Sequence, residues 1–261
     1  MTRLDFRKTV VIGRAERLWK LFGFSSPDEL VLEDVALARG VIVTEGPLDS
    51  MEARLVRQGT RGLIRVKAGL PETGRKRFAI AHELGHWELH EDVSQLFACT
   101  GDDMAASYKT NIHEAEANYF ASGLLMPRFL FMERVLGTRF SLGTLSDLAG
   151  FFGTSLTATA IAYVDTSDEC LAVVAAQEGR IRWWRASTCF EDRFWLKAGA
   201  RLSAHTVAAE LPSGSRAQAP PEEVDMEAWS ERGHKPGSDT FIEESMYMVQ
   251  YGQVLTLLQL P

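Results

Sequence analysis

Arg75-Lys-Arg-Phe-Ala-Ile-Ala-His-Glu-Leu-Gly-His-Trp-Glu-Leu-His90 carries two histidines, His82 and His86, four residues apart. On a helix such residues lie one above the other, so both imidazoles project from one face and can share a metal ion. The spacing suits zinc. Glu83 flanks the same face, where an ionised carboxylate can take a proton from a water that the metal holds. Phe78, Ala81, Gly85 and Leu89 recur at helical spacing, Ile80, Leu84 and Trp87 fill a neighbouring stripe, and no proline interrupts residues 72–90, so the pattern predicts a motif set mid-helix. A glycine there costs about 1 kcal/mol relative to alanine. Gly85 therefore predicts another element packed close against the metal face.

The chain has 261 residues, 46% hydrophobic and 24% charged, which are the proportions of a soluble protein with room for two domains. Met1 to Lys8 lack the apolar core and small-residue cleavage site of a leader, and no apolar run approaches the roughly eighteen residues of a membrane span. The expected location is cytoplasmic, with no membrane partner. Cys99, Cys170 and Cys189 are odd in number and irregular in spacing, which argues against a disulfide framework and fits a reducing compartment.

The net charge of −7 is uneven: residues 1–164 hold 19 Lys and Arg against 20 Asp and Glu, residues 165–261 hold 9 against 15. Arg54, Arg57, Arg61, Arg65, Lys67, Arg75, Lys76 and Arg77 crowd one region, a possible contact for nucleic acid, single-stranded DNA included, or for an acidic partner. A solvated hairpin and helix start is the plainer reading, because no aromatic residues interleave to stack on bases.

Residues 8–22 carry Val11, Ala15, Leu18, Trp19 and Phe22 at helical spacing and stop at Gly23; Pro27-Asp28 opens a second helix that ends at Gly40. Val41 to Val43 reads as a short buried strand. Glu52 to Gln58 and Leu63 to Ala68 read as a hairpin whose edge could take a substrate chain as one more strand. Beyond the motif, Ile112 to Leu125 and Phe129 to Leu136 read as helices, and Ser141–Phe152 with Ser155–Tyr163 has the look of a helix-turn-helix. Its second helix has no Lys or Arg to meet phosphates, so it is not read as DNA-binding. Asp165-Thr-Ser-Asp168 is the expected domain boundary. Cys170–Gln177, Ile181–Ala186, Arg193–Lys197 and two runs within Ser245–Leu260 read as strands, and Ser213–Pro221 as a mobile loop.

A catalytic zinc site needs a third protein ligand and an open fourth position. His90 continues the four-residue spacing, but eight helical residues rise about 12 Å, too far to share one ion with His82; a cation or polar group near the helix C-terminus suits it better. The helix from Ile112 offers His113, Glu114 and Glu116. Glu114 is favoured because it shares a face with Asn118, Ala121 and Leu125, a stripe suited to lie against Gly85, with Asn118 one turn on to orient His82 or His86. Tyr108 and His113 are the candidates for an oxyanion donor.

His82-Glu-Leu-Gly-His86 followed by Glu114-Ala-Glu-Ala-Asn-Tyr-Phe-Ala-Ser-Gly-Leu-Leu-Met-Pro127 resembles the ImmA/IrrE family of bacterial zinc metallopeptidases, over roughly residues 8–164. The resemblance implies zinc held by His82, His86 and Glu114, Glu83 as the catalytic base, and a helix-turn-helix transcriptional repressor as substrate, cleaved in response to stress or DNA damage. It also implies an α+β chain: a mainly helical, zincin-like peptidase domain with a small sheet at 1–164, including the helix-turn-helix-like tail at 141–164, and a sensor-like antiparallel-sheet domain of GAF or PAS type at 165–261. Cys99 lies in the irregular stretch between motif and third ligand, where its thiolate could occupy the fourth zinc position as a latch; a small buried hydrophobe is the plainer role. A non-proteolytic, zinc-containing regulator acting by partner binding is the alternative function.

Overall fold

The computed structural model describes residues 3–49, 51–70, 73–90, 112–214, 217–230 and 239–260. Cys99 and Tyr108 lie outside the described residues. The architecture is α+β, and the chain divides into two compact units: residues 1–136 with 148–155, and residues 137–147 with 156–261.

In the first unit, helix α1 (Arg3–Phe22) is longer than its apolar stripe required. Val11, Ala15, Leu18 and Trp19 are buried along that stripe, and the Trp19 indole donates to the Leu124 carbonyl at 2.7 Å. Pro27 opens only a 3-10 turn (Pro27–Glu29), and the helix proper, α2, spans Leu32–Ala38. The Glu29 carboxylate folds back on Ser25 and closes the turn before a helix can propagate.

Strands β1 (Val41–Gly46), β2 (Ala53–Gln58) and β3 (Arg61–Lys67) form a sheet of order β1-β3-β2, β1 running parallel and β2 antiparallel to β3. The expected hairpin is therefore present. Its inner face, with Leu55, Ile64 and Val66 buried, packs on helix α3 (Thr73–Leu89). A side chain at Gly62 would meet the Trp87 ring at 2.9 Å, so glycine is what lets Trp87 approach β3 this closely. Helix α4 (Ile112–Leu125) packs between α1 and α3 and is buried along most of its length. Helix α5 (Arg128–Val135) follows Pro127.

Helices α6 (Leu142–Phe152) and α7 (Leu156–Thr166) take the places expected of the helix-turn-helix-like pair. In the second unit, β4 (Leu171–Gln177), β5 (Arg180–Ala186), β6 (Glu222–Asp225), β7 (Thr240–Met248) and β8 (Gln253–Gln259) form an antiparallel sheet of order β5-β4-β8-β7-β6. Short helices α8 (Thr188–Glu191) and α9 (Val207–Glu210) join its core of Phe190, Leu196, Trp229 and Phe241.

Three expectations are corrected here. Arg193–Lys197 is not a strand: the amides of Arg193 and Phe194 both return to the Phe190 carbonyl, continuing the turn that Ser187 caps, and Leu196 then anchors in the core. Part of the expected Ser213–Pro221 loop is fixed, since Ala217 and Ala219 pair through their backbones with Tyr247 and Ser245. Cys170 and Cys189 are joined by a disulfide with Cα atoms 4.7 Å apart, because strand pairing returns the end of β5 to the start of β4. The cysteine pattern therefore no longer argues for a reducing compartment. Among the described residues, no helix is long and apolar enough to cross a membrane.

Candidate metal centre

The site lies where α3 and α4 cross. Gly85 makes the crossing possible: a Cβ there would stand 3.1 Å from the Cα and carbonyl oxygen of Ala117 and 3.1 Å from Phe120 Cβ. The close packing expected at Gly85 is present, but Ala117 and Phe120 provide it rather than Ala121 and Leu125. Glu114 lies one turn before Ala117, so the same crossing carries its carboxylate to the histidines.

His82 Nε2 and His86 Nε2 are 3.0 Å apart, and the Glu114 oxygens lie 3.2 Å from the first and 3.4 Å from the second. His82 and His86 are buried, and the Glu114 side chain is 13% exposed. Bonds of about 2.0–2.1 Å at tetrahedral angles hold donor atoms roughly 3.3 Å apart, close to the spacing here. Among the described residues, this is one of two groups able to hold a metal ion; the other is His90, His113 and Glu116. Two nitrogens and a carboxylate converging on one point form a donor set suited to zinc, with a fourth position left over.

The electrostatics carry the same message. Burial works against charge on His82, yet the Glu114 carboxylate and the charge of Glu83 outweigh it and raise its pKa. For His86, burial dominates, aided by the charges of His82 and His90, and its pKa falls to about 4. Glu114 is held well below the usual carboxylate range, since hydrogen bonds from both imidazoles overcome the burial that would raise it. The pocket thus keeps an ionised carboxylate and favours one positive charge in front of it, the condition a cation satisfies.

Asn118 Oδ1 lies 2.9 Å from His82 Nδ1, so the amide of the residue singled out in the sequence faces His82 rather than His86. Glu83 is fully buried on α3. Of the two roles expected of His90, cation or polar group near the helix C-terminus, the structure shows a buried polar group: its Nδ1 lies 3.0 Å from His86 Nδ1, and its Nε2 lies 3.0 Å from Glu116 Oε2. Burial lowers its pKa against the pull of Glu116. His113 stands edge-on to His90, with ring centroids 4.5 Å apart and Nδ1 3.9 Å from Glu116.

Of the basic residues, Arg54, Arg61, Arg65 and Lys67 share the outer face of the sheet by register. Arg57 points the other way, stacks over the Trp87 ring at 3.8 Å and donates to the Trp87 carbonyl. Arg75 and Lys76 pair with Glu52 and Glu45.

A His-Glu-x-x-His helix whose imidazoles meet a carboxylate from a crossing helix defines a metallopeptidase-type domain. Residues 36–162 match the family model described as Peptidase_M78, the IrrE N-terminal-like domain, so the chain carries a domain of that family. The fold is also similar to a solved structure described as a Mycobacterium tuberculosis transcriptional regulator, with a TM-score of 0.63 and 15% identity over 96% of this chain and 87% of that one. No curated protein sequence matches the chain.

Proposed function

We propose that the protein is a zinc-dependent endopeptidase that cleaves a helix-turn-helix transcriptional repressor in the cytoplasm in response to stress or DNA damage, releasing the repressed genes. The observation that carries this reading is the convergence of His82, His86 and Glu114 on one point, with Glu83 on the same helix. Zinc, when bound there, polarises a peptide carbonyl and makes a water more acidic. Glu83 takes the proton of the attacking water and passes it to the leaving amine nitrogen. Asn118 Oδ1 accepts from His82 Nδ1, which would leave the His82 Nε2 lone pair available to hold the zinc.

Among the described residues β2 pairs only with β3, so its outer edge can accept the substrate as an added strand. The face bearing Arg54, Arg61, Arg65 and Lys67 is where an activating single-stranded DNA would bind, with residues 1–164 as the peptidase domain and residues 165–261 as the sensor-like domain. Cys99 is the proposed latch on the fourth zinc position; a Cys99→Ser protein should then cleave faster than wild type, and equal rates would remove the latch from the account.

The protein incubated with candidate helix-turn-helix repressors from its own source, with and without chelator, provides the test by gel electrophoresis. Cleavage that chelator abolishes supports the reading; an intact repressor under every activating condition contradicts it. A second reading, a zinc-holding regulator that acts by binding its partner, draws support from the complete burial of Glu83. It predicts a stable complex with the repressor and no fragments.

A further inference from the structure

We propose that His90 and Glu116 are positioning residues for the metal ligand His86, forming a hydrogen-bond relay that runs one way from the metal site to the Glu116 carboxylate, which Arg7 meets from the other side. The inference rests on the reading that His86 holds zinc through Nε2. A neutral imidazole bound through Nε2 carries its proton on Nδ1. That atom lies 3.0 Å from His90 Nδ1, so His86 donates and His90 accepts. The single proton of neutral His90 is then on Nε2, which lies 3.0 Å from Glu116 Oε2, so His90 donates in turn and the carboxylate accepts. The other oxygen of Glu116 receives Arg7 Nη1 at 3.3 Å.

The proton count also decides against the competing use of this cluster. His90, His113 and Glu116 are grouped closely enough to hold an ion of their own. A metal on His90 Nε2 would move that ring's proton to Nδ1, where it would face the proton on His86 Nδ1. One imidazole cannot accept from His86 and offer Nε2 to a cation at the same time. The relay and the metal at His82, His86 and Glu114 support each other, whereas a second ion opposes the first. The two ligand histidines are consequently oriented differently: His82 against the neutral amide of Asn118, His86 against a histidine backed by a carboxylate.

The test uses the full-length protein loaded with zinc, its metal stoichiometry, and two-bond nitrogen–proton NMR spectra of the histidine rings. The relay predicts one zinc per chain, His86 protonated on Nδ1 and His90 protonated on Nε2 alone. Glu116→Leu should weaken zinc binding about 10- to 100-fold, while Glu116→Gln, whose amide oxygen still accepts from His90, should retain most of the affinity. His90 protonated on Nδ1, a second zinc lost on His113→Ala substitution, or wild-type affinity in folded Glu116→Leu would each overturn the relay while leaving the zinc reading intact. Wild-type protein that takes up no zinc would defeat both. If Glu116→Leu fails to fold, the wild-type ring protonation alone decides.

Discussion

Replacing Gly85 with alanine separates two effects that the structure sets against each other. In a helix interior the change gains about 1 kcal/mol of propensity. The new methyl, however, would stand 3.1 Å from three atoms of α4, where ordinary contact begins at 3.4 Å, and two of those atoms are backbone and cannot rotate away. Overpacking of this kind costs about 1–3 kcal/mol, so the expected net loss is about 1 kcal/mol. The only relief is for α4 to retreat by a few tenths of an ångström, and Glu114 retreats with it while His82 and His86 stay on α3. Zinc binding should therefore weaken by about 1 kcal/mol, roughly fivefold. Urea unfolding with and without zinc, together with competition against a chromophoric chelator, measures both quantities. A Gly85→Ala protein that is more stable than wild type and binds zinc as tightly would refute the packing argument.

Protonation supplies a second prediction, for the metal-free protein. His86 titrates at about 4 in the fold against an ordinary value of 6.5, so between these values the unfolded chain holds a proton that the native state lacks. Stability should fall as pH is lowered from 6.5 toward 4, with His86→Gln flattening that slope in urea midpoints. Glu114, lowered in the fold, contributes stability that is complete above its ordinary 4.5 and lost in stronger acid; His82, raised, contributes below 6.5 and loses it as pH rises through its folded value. In the second unit, buried Glu243 accepts from the Ala208 amide, the Trp229 indole and the Ser245 hydroxyl. Glu243→Leu strands those donors and should cost about 3 kcal/mol, visible as faster amide exchange in β6 and β7; unchanged exchange would show that the carboxylate contributes little.

The motif helix and Glu114 were legible because helical periodicity alone assigns them faces, and because a glycine amid large apolar residues marks a close crossing. The His86–His90–Glu116 relay was not. The rise between His82 and His90 rightly excludes a shared metal, but the distance rule considers only ligands, and a hydrogen bond from His86, lying between them, reaches His90. The Arg193–Lys197 run misled because Trp and Phe favour strands in isolation, whereas here Ser187 starts a turn sixteen residues from its other partner, Leu171. The Cys170–Cys189 bond depends on strand pairing in the same way and leaves no local signal. The contact of Gly62 with Trp87 is equally non-local and leaves no mark in the sequence.

The substitution Glu83→Gln isolates the central claim, since it removes the proton acceptor and changes neither the size of the side chain nor any of the three converging donors. The purified variant should bind zinc with wild-type stoichiometry and leave the repressor uncut, as metal analysis and gel electrophoresis of the same sample would show. A zinc-loaded Glu83→Gln protein that cuts the repressor at the wild-type rate would contradict the account.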